Sequence, residues 1–169
     1  MSIIAPIISA GFGAGGGTSL KIFHVQDQKA AGTNGGTLTD SAWRTHDLNT
    51  VITNEIVGAS LGSNKMTFTE PGDYFGTGIC PIFNSSVTQA RMQDVANGVT
   101  LAQSVNQYNI GSASTSNMVV HFEFSVVDDP VEIEFQVQSV ATSAATGFGI
   151  PANIGTTEVF ADVRTFKVS

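Results

Sequence analysis

Polar and apolar residues alternate with a period of two through the later part of the chain. Met118, Val120, Phe122, Phe124 and Val126 fall on one side of a strand, with Val119, His121, Glu123 and Ser125 on the other. Val131, Ile133, Phe135 and Val137 then oppose Glu132, Glu134, Gln136 and Gln138, after a bend at Asp128-Asp129-Pro130. Successive side chains of a strand point to opposite faces, so this pattern predicts two strands, each with one buried and one wet face. Earlier runs of the same kind predict strands over Lys21–Gln28, around Trp43-Arg44-Thr45, and over Asn49–Ile56, Lys65–Phe68, Tyr74–Phe83, Thr88–Asp94 and Val99–Ser104. Helical spacing has no comparable support.

Turn chemistry punctuates these runs. Phe68-Thr69-Glu70-Pro71-Gly72-Asp73-Tyr74-Phe75 places a Pro-Gly pair between two apolar ends, with Pro fixing φ and Gly free to take φ > 0. It reads as a strand, a sharp corner and a second strand. Asn97-Gly98 is the strongest short hairpin signal, because both central residues of a type I′ turn need φ > 0. The closing run Glu158–Val168 differs from the rest: Val159, Ala161 and Val163 fall on one face, and Phe160, Phe166 and Val168 on the other. Apolar groups on both faces require cover on both. One sheet of a sandwich meets its own core on a single face, so the second face is expected to meet another subunit.

The pattern amounts to roughly nine or ten short strands and no helix, which means a β-sandwich or jelly roll. The 169 residues suit a single domain with a core of its own. Charged residues make up only 12% against 41% apolar, about half the usual charged share, which suggests surface covered by something other than water. Seven basic residues against fourteen acids give a net charge of −7, with no basic patch to track phosphates, so no nucleic acid is expected as partner. The single Cys80 sits in the apolar run Gly78-Ile79-Cys80-Pro81-Ile82-Phe83 and cannot build an intrachain disulfide; it is expected in the core. No apolar run reaches the ~18 residues of a membrane span, and no membrane partner is expected.

Residues 1–19 read as a separate segment. Ile3, Ile4, Ile7 and Ile8 form an aliphatic patch, followed by Gly11-Phe12-Gly13-Ala14-Gly15-Gly16-Gly17, a flexible hinge by composition. The segment lacks the basic region of a signal peptide and is interrupted by Pro6, so it is read as retained. It is expected to act as an arm that docks on a neighbouring molecule through Ile3, Ile4, Ile7, Ile8 and Phe12, with the jelly roll occupying 20–169.

The corner motif Phe-Thr-x-Pro-Gly-x-Tyr-Phe resembles the strand–turn–strand signature of C1q/TNF-like jelly rolls. The order of further landmarks is similar to that of phage-encoded members of that group: Asn34-Gly35-Gly36, then Trp43-Arg44-Thr45-His46-Asp47-Leu48-Asn49-Thr50, then Gln89-Ala90-Arg91, then Gly147-Phe148-Gly149, then Glu158-Val159-Phe160-Ala161-Asp162-Val163-Arg164. The likeness spans about residues 20–168. It implies an all-β, antiparallel, ten-stranded jelly-roll sandwich working as a homotrimer, with the first and last strands near the three-fold axis. On that reading Phe23, Phe160, Asp162, Arg164 and Phe166 belong to the trimer interface. Asp162 and Arg164 stand two apart on one strand face and allow either an ion pair between subunits or a pair within the chain.

Catalytic chemistry finds little support. Gly11-x-Gly13-x-x-Gly16 matches a dinucleotide fingerprint in spacing, but the fingerprint needs a strand before it and a helix after it, and Ser19–Gln28 reads as strand. His24, His46 and His121 lack the clustered spacing of a metal site; His121 and Glu123 share one polar face and come nearest to a ligand pair. His46, in the Trp43 block, has the alternative reading of a packed turn residue. No Gly-x-Ser-x-Gly occurs, and Asp128-Asp129 sits where acids favour turns. No catalytic residue, metal or cofactor is expected. The expectation is a phage virion structural protein: a trimeric decoration or cement protein on the outer capsid surface, bound to the major capsid protein through its arm. The alternative is a receptor- or glycan-binding head of a tail fibre, reading through loops such as 29–40 or 107–117.

Overall fold

The structure is a computed structural model and describes residues 20–108 and 114–168. These residues form twelve strands and no helix: β1 (Lys21–Ala30), β2 (Arg44–Thr45), β3 (Thr50–Asn54), β4 (Ala59–Gly62), β5 (Lys65–Phe68), β6 (Gly72–Phe83), β7 (Val87–Asp94), β8 (Val99–Gln103), β9 (Gln107–Tyr108), β10 (Thr115–Val126), β11 (Val131–Ser139) and β12 (Thr157–Val168). The arm positions Ile3, Ile4, Ile7, Ile8 and Phe12 lie outside the described residues. The strand over 59–62 was not foreseen from the sequence, since Leu61 is its only large apolar residue.

The strands form two antiparallel sheets. One runs β10-β6-β12-β1-β3; the other runs β4-β5-β11-β7-β8, with β2 added on β11 and β9 on β7. The alternation read from β10 and β11 holds in the structure: Met118, Val120, Phe122, Phe124 and Val126 are buried, as are Val131, Ile133, Phe135 and Val137. They line the apolar seam between the two layers of the fold. Cys80 lies in this seam, where burial pushes its thiol well above the ordinary range.

The Pro71-Gly72 corner carries the chain from one sheet to the other, because β5 and β6 belong to different sheets. Tyr74 lies flat on Phe124 (centroids 4.8 Å apart), and Phe68 packs against both. The Tyr74 hydroxyl donates to the Glu70 carbonyl at 2.6 Å, closing the corner over these rings. Gly72 has φ of 147°, and a side chain there would meet Lys167 Cε at 2.7 Å. The Asn97-Gly98 hairpin forms, but with a different turn. Only Gly98 has positive φ, and Asp94 Oδ1 instead accepts the amides of Ala96 and Asn97 at 3.1 and 3.3 Å.

Two expectations about strand faces are corrected. Phe23 shares its parity with Val25 and Asp27 and is fully buried in the chain's own core, edge-on to Phe68 at 5.7 Å, so it is no interface residue. In β12 the ladder to β1 skips a residue: Asp27 pairs with Ala161 and Gln28 with Val159. A bulge of this kind reverses the parity of everything beyond it. Phe160 is therefore inside, 2% exposed and packed over Gly35 and Gly149, while Val159 is outside. Past the bulge, Ala161 and Val163 point inward and Asp162, Arg164 and Phe166 outward.

Candidate functional site

The exposed face of the five-stranded sheet is the candidate site. Inward Phe23 and Val25 leave Ile22, His24 and Gln26 outside on β1. The register then aligns outward residues in rows. His24 pairs with Arg164, Arg164 with Thr77, and Thr77 with His121; Ile22 pairs with Phe166, Phe166 with Phe75, and Phe75 with Glu123. A third row runs Gln26, Asp162, Ile79, Val119.

Apolar side chains stand open on this face. Phe75 and Ile79 are each 42% exposed, Val119 40% and Val159 46%. Val168 at the end of β12 adds to them. Phe166 lies on Phe75 with centroids 5.3 Å apart and planes 22° apart, so two aromatic rings share cover that one neighbour would extend. The other sheet differs at its centre: β5, β7 and β11 expose no large apolar side chain, while Val99 on β8 and Tyr108 on β9 are open at its border. The outer side of β2, β11 and β7 carries a polar ladder. Thr45 and Gln136 both donate to Glu134 Oε2 at 2.6 Å, Arg91 Nε donates to Gln136 Oε1 at 2.8 Å, and the Arg91 guanidinium sits 4.1 Å from the Trp43 ring.

A polar hub interrupts the apolar face. His24 Nε2 lies 2.7 Å from Asp162 Oδ2, Gln26 Nε2 donates to the same oxygen at 2.6 Å, and Arg164 Nε donates to Oδ1 at 3.0 Å. Partial burial acts to raise the Asp162 pKa, but hydrogen bonds from Gln26 and His24 and the nearby positive charge outweigh it and hold the carboxyl below the usual range. The Asp162–Arg164 pair is thus made within the chain. Thr77, Ile79, Asp162, Arg164 and Phe166 line a depression of about 400 Å³ beside this hub.

Of the five interface residues expected from the sequence, the structure brings Asp162, Arg164 and Phe166 together on this face and puts Phe23 and Phe160 in the core. Ile22, His24, Phe75 and Ile79 were missed. The signal for Ile22 and His24 was available: once Phe23 and Val25 are taken as inward, their neighbours must face out. His121 and Glu123 do share the face, with His121 Nδ1 2.9 Å from Thr77 Oγ1. Among the described residues no group of three or more His, Cys, Asp or Glu is placed to hold a metal.

His46 belongs to a separate, fully buried cluster. It stacks against Phe148 (4.2 Å) and Phe135 (5.1 Å), with Nδ1 3.4 Å from Asp27 Oδ2. Lys29 Nζ bridges Asp27 (3.3 Å) and Asp47 (2.7 Å). These contacts pin the segment 43–50 against β1, a supporting role for the sheet that carries the candidate face.

No family model and no curated protein sequence matches the chain. Solved structures do. Murine APRIL aligns over 89% of this chain and all of its own, with TM-score 0.57 at pH 8.0 and 0.58 at pH 5.0 and identities of 10% and 8%. The globular domain of zebrafish complement 1qA aligns over 89% of this chain and 98% of its own, with TM-score 0.55 and 11% identity. The fold is therefore an antiparallel C1q/TNF-like jelly roll.

Proposed function

We propose that this protein is a non-enzymatic assembly module, a homotrimer closed through the exposed face of its five-stranded sheet. The observation that carries this reading is the inequality of the two outer faces: Phe75, Ile79, Val119 and Val159 stand open across one, while a satisfied polar ladder covers the central strands of the other. Apolar area left in water is costly at roughly 25 cal/mol per Å², and monomeric proteins rarely carry such patches without a partner for them. Within this reading the protein serves as a phage virion decoration protein on the outer capsid surface, gripping the major capsid protein through residues 1–19. The ordered motifs from Asn34-Gly35-Gly36 to the Glu158–Arg164 block support that setting. Three arms per trimer would act together, turning modest contacts into firm attachment. Deleting residues 1–19 is expected to leave soluble trimers that no longer bind shells in a co-sedimentation assay; undiminished binding by the truncated protein would refute the arm.

A second reading, a glycan- or receptor-binding fibre head, draws on one feature of the loops. Leu20 and the start of β1 lie at one end of the sandwich. The loops of the other end, 31–43, 84–86, 104–106 and 140–156, contain a single charged residue, Asp40, and Ile154 is 92% exposed there. Copy number in the intact particle separates the two: hundreds of copies for decoration, far fewer for a fibre head.

A further inference from the structure

The charges on the candidate face are nearly all satisfied within the chain, and the exceptions form a pair of opposite sign. Asp162 accepts from His24, Gln26 and Arg164, and Asp73 accepts from the Ser125 hydroxyl at 2.6 Å. Arg164 spends only Nε on Asp162; its side chain is 55% exposed, and its terminal nitrogens have no partner among the described residues. Glu123 is exposed in the middle of β10, also without a polar partner among the described residues. Of the fourteen acids, the only others in that condition are Asp128 and Asp129, which stand in an exposed bend.

Arg164 and Glu123 occupy different patches of the one face. Arg164 is on β12, bordered by Phe166 and Ile79 around the 400 Å³ depression. Glu123 is on the edge strand β10 beside Phe75, two strands and roughly 10 Å away. A two-fold contact through the β1–β12 patch would set Arg164 against its own copy. A head-to-tail contact would set the β12 patch of one copy against the β6–β10 patch of the next, placing cation against anion, and such a contact closes into a ring when the rotation allows.

We propose that Glu123 of one copy enters the depression at Arg164 of the next and pairs with its free guanidinium nitrogens, fixing the register and direction of the ring. The pairing rests on the trimer reading above. With Nε already held by Asp162, the guanidinium is positioned before association, which lowers the ordering cost of the contact. A pair of this kind selects the correct partner geometry and penalises the wrong one.

The test is a concentration series by sedimentation equilibrium on the full chain, with far-UV circular dichroism as the folding check. Arg164→Glu and Glu123→Arg are each expected to raise the midpoint concentration of dissociation about tenfold or more, and the double swap to recover most of it. Singles that leave the midpoint unchanged, or a double swap no better than the singles, overturn the pairing. A wild-type chain that is monomeric throughout overturns the trimer reading itself, a distinct outcome. Should a charge reversal perturb folding, Arg164→Gln and Glu123→Gln form a milder double-mutant cycle, in which strict additivity contradicts the proposal and coupling supports it.

Discussion

At the scale of single residues, His46 shows how a polar side chain is held inside. Burial between Phe135 and Phe148 drives its pKa below the ordinary 6.5, against the opposing pull of Asp27. The folded chain keeps the imidazole neutral, while the unfolded chain takes up a proton below pH 6.5. Its contribution to stability is therefore present above that pH and lost as pH falls beneath it, by up to about 1.4 kcal/mol per pH unit. Urea unfolding between pH 7.5 and 5.5 is expected to show falling stability in the wild type and a flatter profile in His46→Gln. Equal slopes would mean that the imidazole stays wet or charged. The sequence already allowed His46 as a packed turn residue. It gave no sign of Asp27 beneath it, because a buried acid in β1 looks the same as a surface acid until the partners Lys29 and His46 are placed in space.

Among the strands, parity decided what was legible. β10 and β11 keep strict alternation with one wet face, so their cores could be read directly. β12 has apolar groups on both parities, and the skipped residue at Phe160 leaves no mark in the sequence; the two faces were therefore assigned wrongly around it. The corrected faces separate two aromatic substitutions. Phe23→Ala empties a fully buried site and is expected to cost about 3–5 kcal/mol in denaturant unfolding. Phe166→Ser, on the outer face against Phe75, is expected to weaken self-association far more than it changes the unfolding of a dilute chain. The opposite ranking would put Phe166 in the core. The start of β12 also anchors the loops at its end of the sandwich: the Glu158 carboxylate accepts the amides of Ala152 and Asn153 at 2.9 Å and Gly32 at 3.4 Å, and these bonds hold its pKa below the usual 4.5. Glu158→Gln is expected to speed hydrogen exchange at Ala152 and Asn153 while β6 and β10 stay protected. Unchanged exchange at those amides would show that the loops are held by other contacts.

For the whole molecule, the inequality of its two outer faces links chain to function. A single sequence reveals that too few charges cover the surface, yet it cannot say which face is bare. That became visible once register placed Ile22, Phe75, Ile79 and Phe166 side by side and set the polar ladder of Glu134, Gln136 and Arg91 on the far sheet. The net charge of −7 keeps copies apart at long range, so association has to come from this apolar area, with Arg164 and Glu123 setting its direction. The decisive measurement is the mass of the purified chain in solution at micromolar concentration, by sedimentation equilibrium. The account predicts three times the 17.6 kDa of one chain, with Phe75 and Phe166 shielded from solvent. A folded species of single-chain mass, with those two rings open to water, would contradict it.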